Sequence, residues 1–89
     1  MAKKRRKLNK DFEKKIYSSK KNVELVLAKI YDIDDEDIQK EYMSAFNKVV
    51  SLYDELNEDY DLQGFSDNSE ELLTSYKNAF NLFESEFEI

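Results

Sequence analysis

A chain of 89 residues, 40% of them hydrophobic and 38% charged, with a net charge of −6, is long enough for one folded core and too short for two. One glycine and no proline disfavour folds that depend on turns and hairpins, and they favour an all-α fold. The sequence has no histidine and no cysteine, which excludes the commonest general base, the commonest transition-metal ligand and all disulfide or thiolate chemistry.

The chain begins with a basic segment, residues 1–8, in which five consecutive side chains are Lys or Arg and Leu8 is the first apolar anchor after them. Like charges repel each other, so we expect this segment to be a flexible arm. The positive charge of this arm predicts electrostatic contact with nucleic-acid phosphates. Its sequence also resembles a nuclear import signal. The alternatives are pairing with the chain's own acidic loop and simple solvation. The candidate nucleic-acid contacts are Lys3, Lys4, Arg5, Arg6 and Lys7.

Three stretches place apolar side chains at alternating steps of three and four residues, the spacing of a helix that packs along its neighbours at a shallow angle. They predict helices over about residues 9–31, 35–58 and 67–88. Ser19 interrupts the first stripe, so we expect the packing to be thinnest there. The predicted core-facing residues are Phe12, Ile16, Ser19, Val23, Val26 and Ile30, then Ile38, Tyr42, Phe46, Val49, Tyr53 and Leu56, then Leu73, Tyr76, Phe80, Phe83 and Phe87.

Capping residues mark the starts of the later helices. Asp34 or Asp35 is predicted to cap the second helix, because a carboxylate there accepts bonds from free backbone N–H groups. The spacing of Asp67 and Glu70 predicts a capping box at the start of the third helix. Residues 59–65, which contain the only glycine, are predicted to form the loop between the two.

Charge is divided unevenly along the chain, with a net charge of +8 in residues 1–22 and −14 in residues 23–89. Because short connections make consecutive helices antiparallel, we predict an up-down-up three-helix bundle over residues 9–89. The end of the first helix, the start of the second and the end of the third then share one acidic pole. We predict that this pole binds a basic partner surface; solvated charge is the alternative. The acidic pole comprises Asp32, Asp34, Asp35, Glu36, Asp37, Glu84, Glu86 and Glu88.

Two tyrosines, Tyr31 and Tyr60, stand at predicted helix ends beside acidic clusters. An aromatic ring flanked by carboxylates suits a cationic partner surface, so both are candidate anchors for a partner. Packing within the connections is the alternative interpretation.

The predicted loop after the second helix partly matches an EF-hand. Gly64 falls at the sharp turn, but Ser66 replaces the usual aliphatic residue and no second loop of this kind exists. We therefore predict that the chain binds no metal or cofactor, with calcium binding as a minor alternative. The candidate ligands are Asp59, Asp61, Gln63, Asp67 and Glu70.

Exposed carboxylate pairs lack the desolvated cleft that acid–base catalysis needs, so we expect no enzymatic activity. In its general character (short, acidic, aromatic-rich and helical) the chain resembles small inhibitor or anti-defence proteins of mobile elements and bacteriocin-type immunity proteins. That resemblance is one of composition and rests on no motif. The resulting prediction is a non-enzymatic protein-binding module that docks acidic faces on a basic partner surface, including one that normally holds nucleic acid.

Two alternatives stay open: a nucleic-acid-associated accessory protein that uses the basic arm and the first helix, and a helical subunit of a larger assembly. No stretch is apolar enough to span a membrane, and the N-terminus lacks the apolar region of a signal peptide. We therefore expect a cytoplasmic location, or a nuclear one in a eukaryote, and a monomer or homodimer.

Overall fold

A computed structural model describes residues 7–87, and within that range three α-helices pack as a three-helix bundle without any extended strand. The helices are α1 (Lys10–Tyr31), α2 (Glu36–Gln63) and α3 (Asp67–Glu86). The all-α prediction is confirmed. Over the same residues, none of the three helices combines the length and the apolar character needed to cross a membrane.

Each helix begins at a side chain that accepts bonds from its free N–H groups. Asn9 Oδ1 accepts from Phe12 N at 3.0 Å, and Asp35 caps α2 as predicted. At α3 the capping box is formed by Ser66 and Ser69, each of which bonds the backbone of the other. The predicted box of Asp67 and Glu70 is therefore wrong by one residue, because a serine pair with the same spacing satisfies the same N–H groups.

The predicted end of the second helix is also wrong, since α2 continues to Gln63. Tyr60 lies four residues after the buried Leu56 and is itself buried, so burying its ring extends the apolar stripe by another turn. Gly64 then ends the helix with φ 79, a backbone angle that glycine adopts without steric cost. The predicted loop over residues 59–65 is reduced to a three-residue connection.

The core forms along the predicted stripes. All six predicted positions of α1 are buried, and Phe46, Ile30 and Leu56 are fully enclosed. Ile38 is the exception, at 44% exposed, because the aromatic residue that follows α3 covers Tyr42, one turn further along α2. Phe87 packs on Tyr42 at 4.8 Å between ring centroids.

Ser19, the gap in the first stripe, is buried beneath an aromatic residue of α3. The Tyr76 hydroxyl donates to the Ser19 carbonyl at 3.2 Å, and Ser19 Oγ donates to the Lys15 carbonyl at 2.8 Å. The helix continues unbroken through residues 18–22. A small residue at this position therefore admits a large ring from the neighbouring helix.

The basic segment before α1 is described only from Lys7. The Lys7 carbonyl accepts a bond from Phe65 N–H, and Lys7 forms an isolated parallel bridge with Gly64. Lys7 therefore belongs to the folded part of the chain, contrary to the prediction of a flexible arm over residues 1–8. Residues 1–6 lie outside the described range.

Candidate functional site

The connection between α1 and α2, together with the first turn of α2, carries five of the eight residues of the predicted acidic pole. Asp32 ends α1, Asp35 caps α2, and the first turn of α2 contributes Glu36 and Asp37. Within the described range, Asp35 is the one pole residue whose carboxylate accepts hydrogen bonds, from Asp37 N at 2.9 Å and Ile38 N at 3.2 Å. The other described pole carboxylates face solvent. They are those of Asp32, Asp34, Glu36, Asp37, Glu84 and Glu86.

A side chain of α2 fixes the end of α1 against the start of α2. Gln39 Nε2 donates to the carbonyls of Ile30 and Tyr31, both at 3.2 Å. These carbonyls belong to the last turn of α1, where the regular helix bonds run out; the Ile30 carbonyl also accepts from Ile33 N–H at 3.1 Å. The bonds therefore fix the backbone at Tyr31, whose side chain is 68% exposed.

The remaining pole residues stand at the end of α3. Glu84 and Glu86 are exposed in its last turn, which contains no basic side chain, and Glu88 lies outside the described residues. Negative charge at a helix C-terminus opposes the macrodipole and costs roughly 0.3–1 kcal/mol per group. The Phe87–Tyr42 contact brings this turn to the second turn of α2.

Tyr60, the second predicted anchor, is not available to a partner. Its ring is 8% exposed and stacks on Phe12 at 5.5 Å between centroids. Its hydroxyl donates to Glu13 Oε2 at 2.7 Å and accepts from Asn9 N–H at 3.1 Å. The prediction is wrong because α2 is longer than expected, which moves Tyr60 from a loop into the core.

The calcium alternative loses the loop on which it depended. Asp59, Asp61 and Gln63 lie in the last turns of α2, while Asp67 and Glu70 lie in the first turn of α3. Alternate residues of a helix point to different sides, so these oxygens cannot converge as in an EF-hand loop. Among residues 7–87, no group of three or more carboxylates is arranged to hold a metal ion.

The structure reveals a surface that the sequence analysis did not identify, a groove of about 530 Å³ between α1 and α3. The backbones of α2 and α3, and those of α1 and α2, lie close together. The backbones of α1 and α3 do so much less, which leaves a gap between the outer sides of these two helices. The floor of the groove is mainly apolar, with Val26, Tyr76, Phe80 and Phe83 among its lining residues. We call it the α1–α3 groove.

The polar groups in the groove floor are already satisfied by bonds within the protein. The Tyr76 hydroxyl bonds the Ser19 carbonyl, and burial, the main cause, raises the pKa of Tyr76 above its usual 10.0. The ring is therefore neutral at physiological pH. An occupant of the groove would meet apolar surface at the floor and charge only at the edges.

Four lysines line the groove against a single carboxylate. Lys14 and Lys15 stand near the start of α1, Lys77 stands opposite on α3, and Lys29 and Glu84 stand at the other end. The sequence did contain a signal for this edge, because Lys15, Ser18, Asn22, Leu25 and Lys29 recur at steps of three and four. The pattern is mostly polar, so it reads as an ordinary solvated helix face.

Comparisons of the chain with protein-family models, with curated proteins and with solved structures find no match.

Proposed function

We propose that the chain is a non-enzymatic protein-binding module whose acidic pole docks on a basic surface of a partner protein. The observation that carries this proposal is an exposed aromatic ring at the pole, that of Tyr31, beside carboxylates that the fold does not use. Carboxylates provide steering and specificity for a basic surface, while an aromatic anchor provides buried contact area. Partner surfaces of this kind include those that normally hold nucleic acid.

An up-down-up arrangement of the helices, which the proposal requires, is supported by the order of contacts along them. Tyr42 in α2 meets Phe87 in α3, whereas Tyr53, three turns later in α2, meets Tyr76 earlier in α3. Such reversed order is what antiparallel neighbours produce. The end of α3 would then stand beside the start of α2, where the other pole carboxylates are.

Apolar surface at the pole supports a docking role beyond simple solubility. Ile38 is 44% exposed and lies seven residues after Tyr31, in the first turn of α2. Exposed apolar side chains beside unpaired carboxylates resemble the anchor and rim of a protein interface. A pole that served only to keep the chain soluble would not require the exposed side chains of Tyr31 and Ile38.

Affinity capture from a lysate of the native source, treated with nuclease, tests the proposal. The pole variant Asp34→Asn/Glu36→Gln/Asp37→Asn is compared with the control Asp54→Asn/Glu55→Gln/Glu58→Gln, which removes the same charge from exposed positions elsewhere on α2. We expect a protein that wild type and control retain and that the pole variant releases at low salt. Equal retention by all three proteins would reject the proposal.

A matched pair of aromatic substitutions tests the anchor. Tyr31→Ala is expected to weaken the binding free energy of the captured protein by about 2 kcal/mol, the loss typical of a hot-spot residue at an interface. Tyr17→Ala removes a similarly exposed ring, 60% against 68%, from the basic helix α1 and should leave that affinity unchanged. An equal loss in both variants would show that the pole does not contain the anchor.

A second function, association with nucleic acid through α1, is favoured by one observation. Tyr17 is exposed among lysines, with Lys21 Nζ 5.4 Å from its ring centroid. An exposed ring within a basic stripe provides a stacking surface for a single-stranded base. Deletion of residues 1–6, which leaves the bridge at Lys7 intact, and Tyr17→Ala would both reduce retention of single-stranded nucleic acid if this function holds.

A further inference from the structure

We propose that the α1–α3 groove binds an amphipathic helix with acidic edges, supplied by a partner protein. The helix would lie along the groove with its C-terminal half at the end lined by Lys14, Lys15 and Lys77. This inference does not rest on the acidic pole, because it requires a partner of the opposite charge at a surface that shares only Glu84 with the pole.

The length of the groove favours a helix over a compact ligand. On α1 its lining extends from Lys14 to Lys29, a rise of about 22 Å or four helical turns, and on α3 from Tyr76 to Glu84, about 12 Å. Along that length the floor presents apolar side chains, of which Phe80 is half-buried and Leu25 is 59% exposed. A groove of this kind receives apolar residues spaced at i, i+3, i+4 and i+7 from an added helix.

Charge defines the chemistry of the occupant. The edges hold four lysines and one glutamate, so the groove is locally positive on a chain whose net charge is −6. A second copy of the chain facing groove to groove would bring lysines of the two copies together. A helix with Asp or Glu beside its apolar stripe would instead pair with them, which is why we assign the groove to a different, acidic chain.

Charge also defines the direction in which the helix would lie. Lys14, Lys15 and Lys77 stand at one end of the groove, and Lys15 and Lys77 also line an adjoining cavity there. At the other end Lys29 is accompanied by Glu84. The negative C-terminus of a helix macrodipole is favoured beside cations and its positive N-terminus beside a carboxylate.

The test uses three designed helical peptides with one apolar stripe, labelled with a fluorophore and measured by anisotropy. The first carries Glu in its C-terminal half and Gln in its N-terminal half, the second reverses these halves, and the third replaces Glu by Lys. We expect the first to bind more tightly than the second, and the third to bind at least about tenfold more weakly than the first, since three exposed ion pairs together are worth about that factor.

Matched variants of the full chain locate the binding. Lys14→Gln/Lys15→Gln/Lys77→Gln is expected to lose about tenfold in affinity for the first peptide. The control Lys20→Gln/Lys21→Gln/Lys48→Gln changes the same charge at exposed lysines outside the groove and should lose less than about twofold. Asp34→Asn/Glu36→Gln/Asp37→Asn should leave this affinity unreduced, which separates the groove from the acidic pole.

A neutral substitution tests the apolar contacts separately from the lysines. Leu25→Gln removes an apolar side chain from the groove, whereas Leu62→Gln removes one from a similarly exposed position on α2, 59% against 69% exposed. Only Leu25→Gln should weaken binding of the first peptide. Because both side chains are exposed, both variants should fold, and amide NMR spectra of each would verify this.

Amide NMR shifts identify the occupied surface and the outcomes that overturn the proposal. With the first peptide, shifts are expected at Asn22, Leu25 and Asn81, and not at Ser51 or Asn57 on α2. Equal binding of the Lys peptide, or no saturable binding of the first peptide up to about 1 mM, overturns the proposal. Groove shifts that grow with the concentration of the protein alone would assign the groove to a second copy, and larger shifts with a fatty acid would assign it to an anionic amphiphile; either result overturns it.

Discussion

At the end of α2 near Gln63, polar side chains bond one another across helices, whereas at its start near Glu36 the carboxylates face solvent. Tyr60 joins Glu13 and Asn9, and Asn68 Nδ2 donates to Asp59 Oδ1 at 2.9 Å. At the start, Asp35 alone among the described pole carboxylates contributes a bond. Both ends are acidic in sequence, so the comparison separates charge that the fold uses from charge that remains available for a partner.

The largest difference between the two ends is expected for their tyrosines. Tyr60→Ala should lower the free energy of unfolding by about 3–5 kcal/mol, because it removes a buried ring and the hydroxyl that satisfies Asn9 N–H. Tyr31→Ala should change it by less than about 0.5 kcal/mol. Urea denaturation measures both, and similar losses in the two variants would contradict the distinction between the ends.

Between the two ends, Tyr76 provides a pH-dependent test. Burial is the main cause that raises the pKa of Tyr76, against a smaller lowering by its hydrogen bond to Ser19, and burial likewise raises the pKa of Tyr53. The folded state therefore keeps these protons to higher pH than the unfolded state. This contribution to stability is complete below pH 10.0, the ordinary pKa, and is lost as pH rises through the raised value.

Tyr76→Phe isolates that effect. It should cost about 1 kcal/mol near neutral pH through loss of the bond to the Ser19 carbonyl, and should make the alkaline loss of stability shallower. Denaturation curves from about pH 8 to 11 measure both quantities. Tyr17→Phe, at an exposed ring, serves as the control, and an unchanged alkaline slope in Tyr76→Phe would contradict the role of Tyr76.

A smaller effect tests the one pole carboxylate that the fold uses. Asp35→Ala should destabilise the chain by about 1 kcal/mol, because the N–H groups of Asp37 and Ile38 lose their cap. Asp34→Ala, next to it and exposed, should change stability by less than about 0.5 kcal/mol. Equal effects of the two substitutions, measured by urea denaturation, would show that the cap contributes little.

The smallest effect is expected at the end of α3 and has the opposite sign. Glu84→Gln/Glu86→Gln removes negative charge from a helix C-terminus and should stabilise the chain by a few tenths of a kcal/mol per residue at low salt. The gain should fall as salt is added. Glu70→Gln/Glu71→Gln, near the start of the same helix, should not stabilise it, and thermal unfolding compares the two.

Much of the fold could be predicted because helix stripes and caps are local properties. The stripe in α1 predicts its five buried apolar positions, and Asp35 caps α2 at a predicted position; Ser19, where we predicted the thinnest packing, is instead buried beneath Tyr76. The placement of Tyr31 at an exposed helix end was also predictable. A stripe shows which side of a helix is apolar, and a capping residue shows where its first free N–H groups are.

Composition, helix periodicity and the division of charge followed from the sequence by itself, because each depends on residues a few positions apart. Tertiary structure alone decided that Tyr60 is buried, that α2 continues to Gln63, that Tyr76 covers Ser19, and that a lysine-edged groove stays open between α1 and α3. The physical reason is that burial and helix separation depend on side chains distant in sequence. Spacing within one helix carries no information about how far away its neighbour lies.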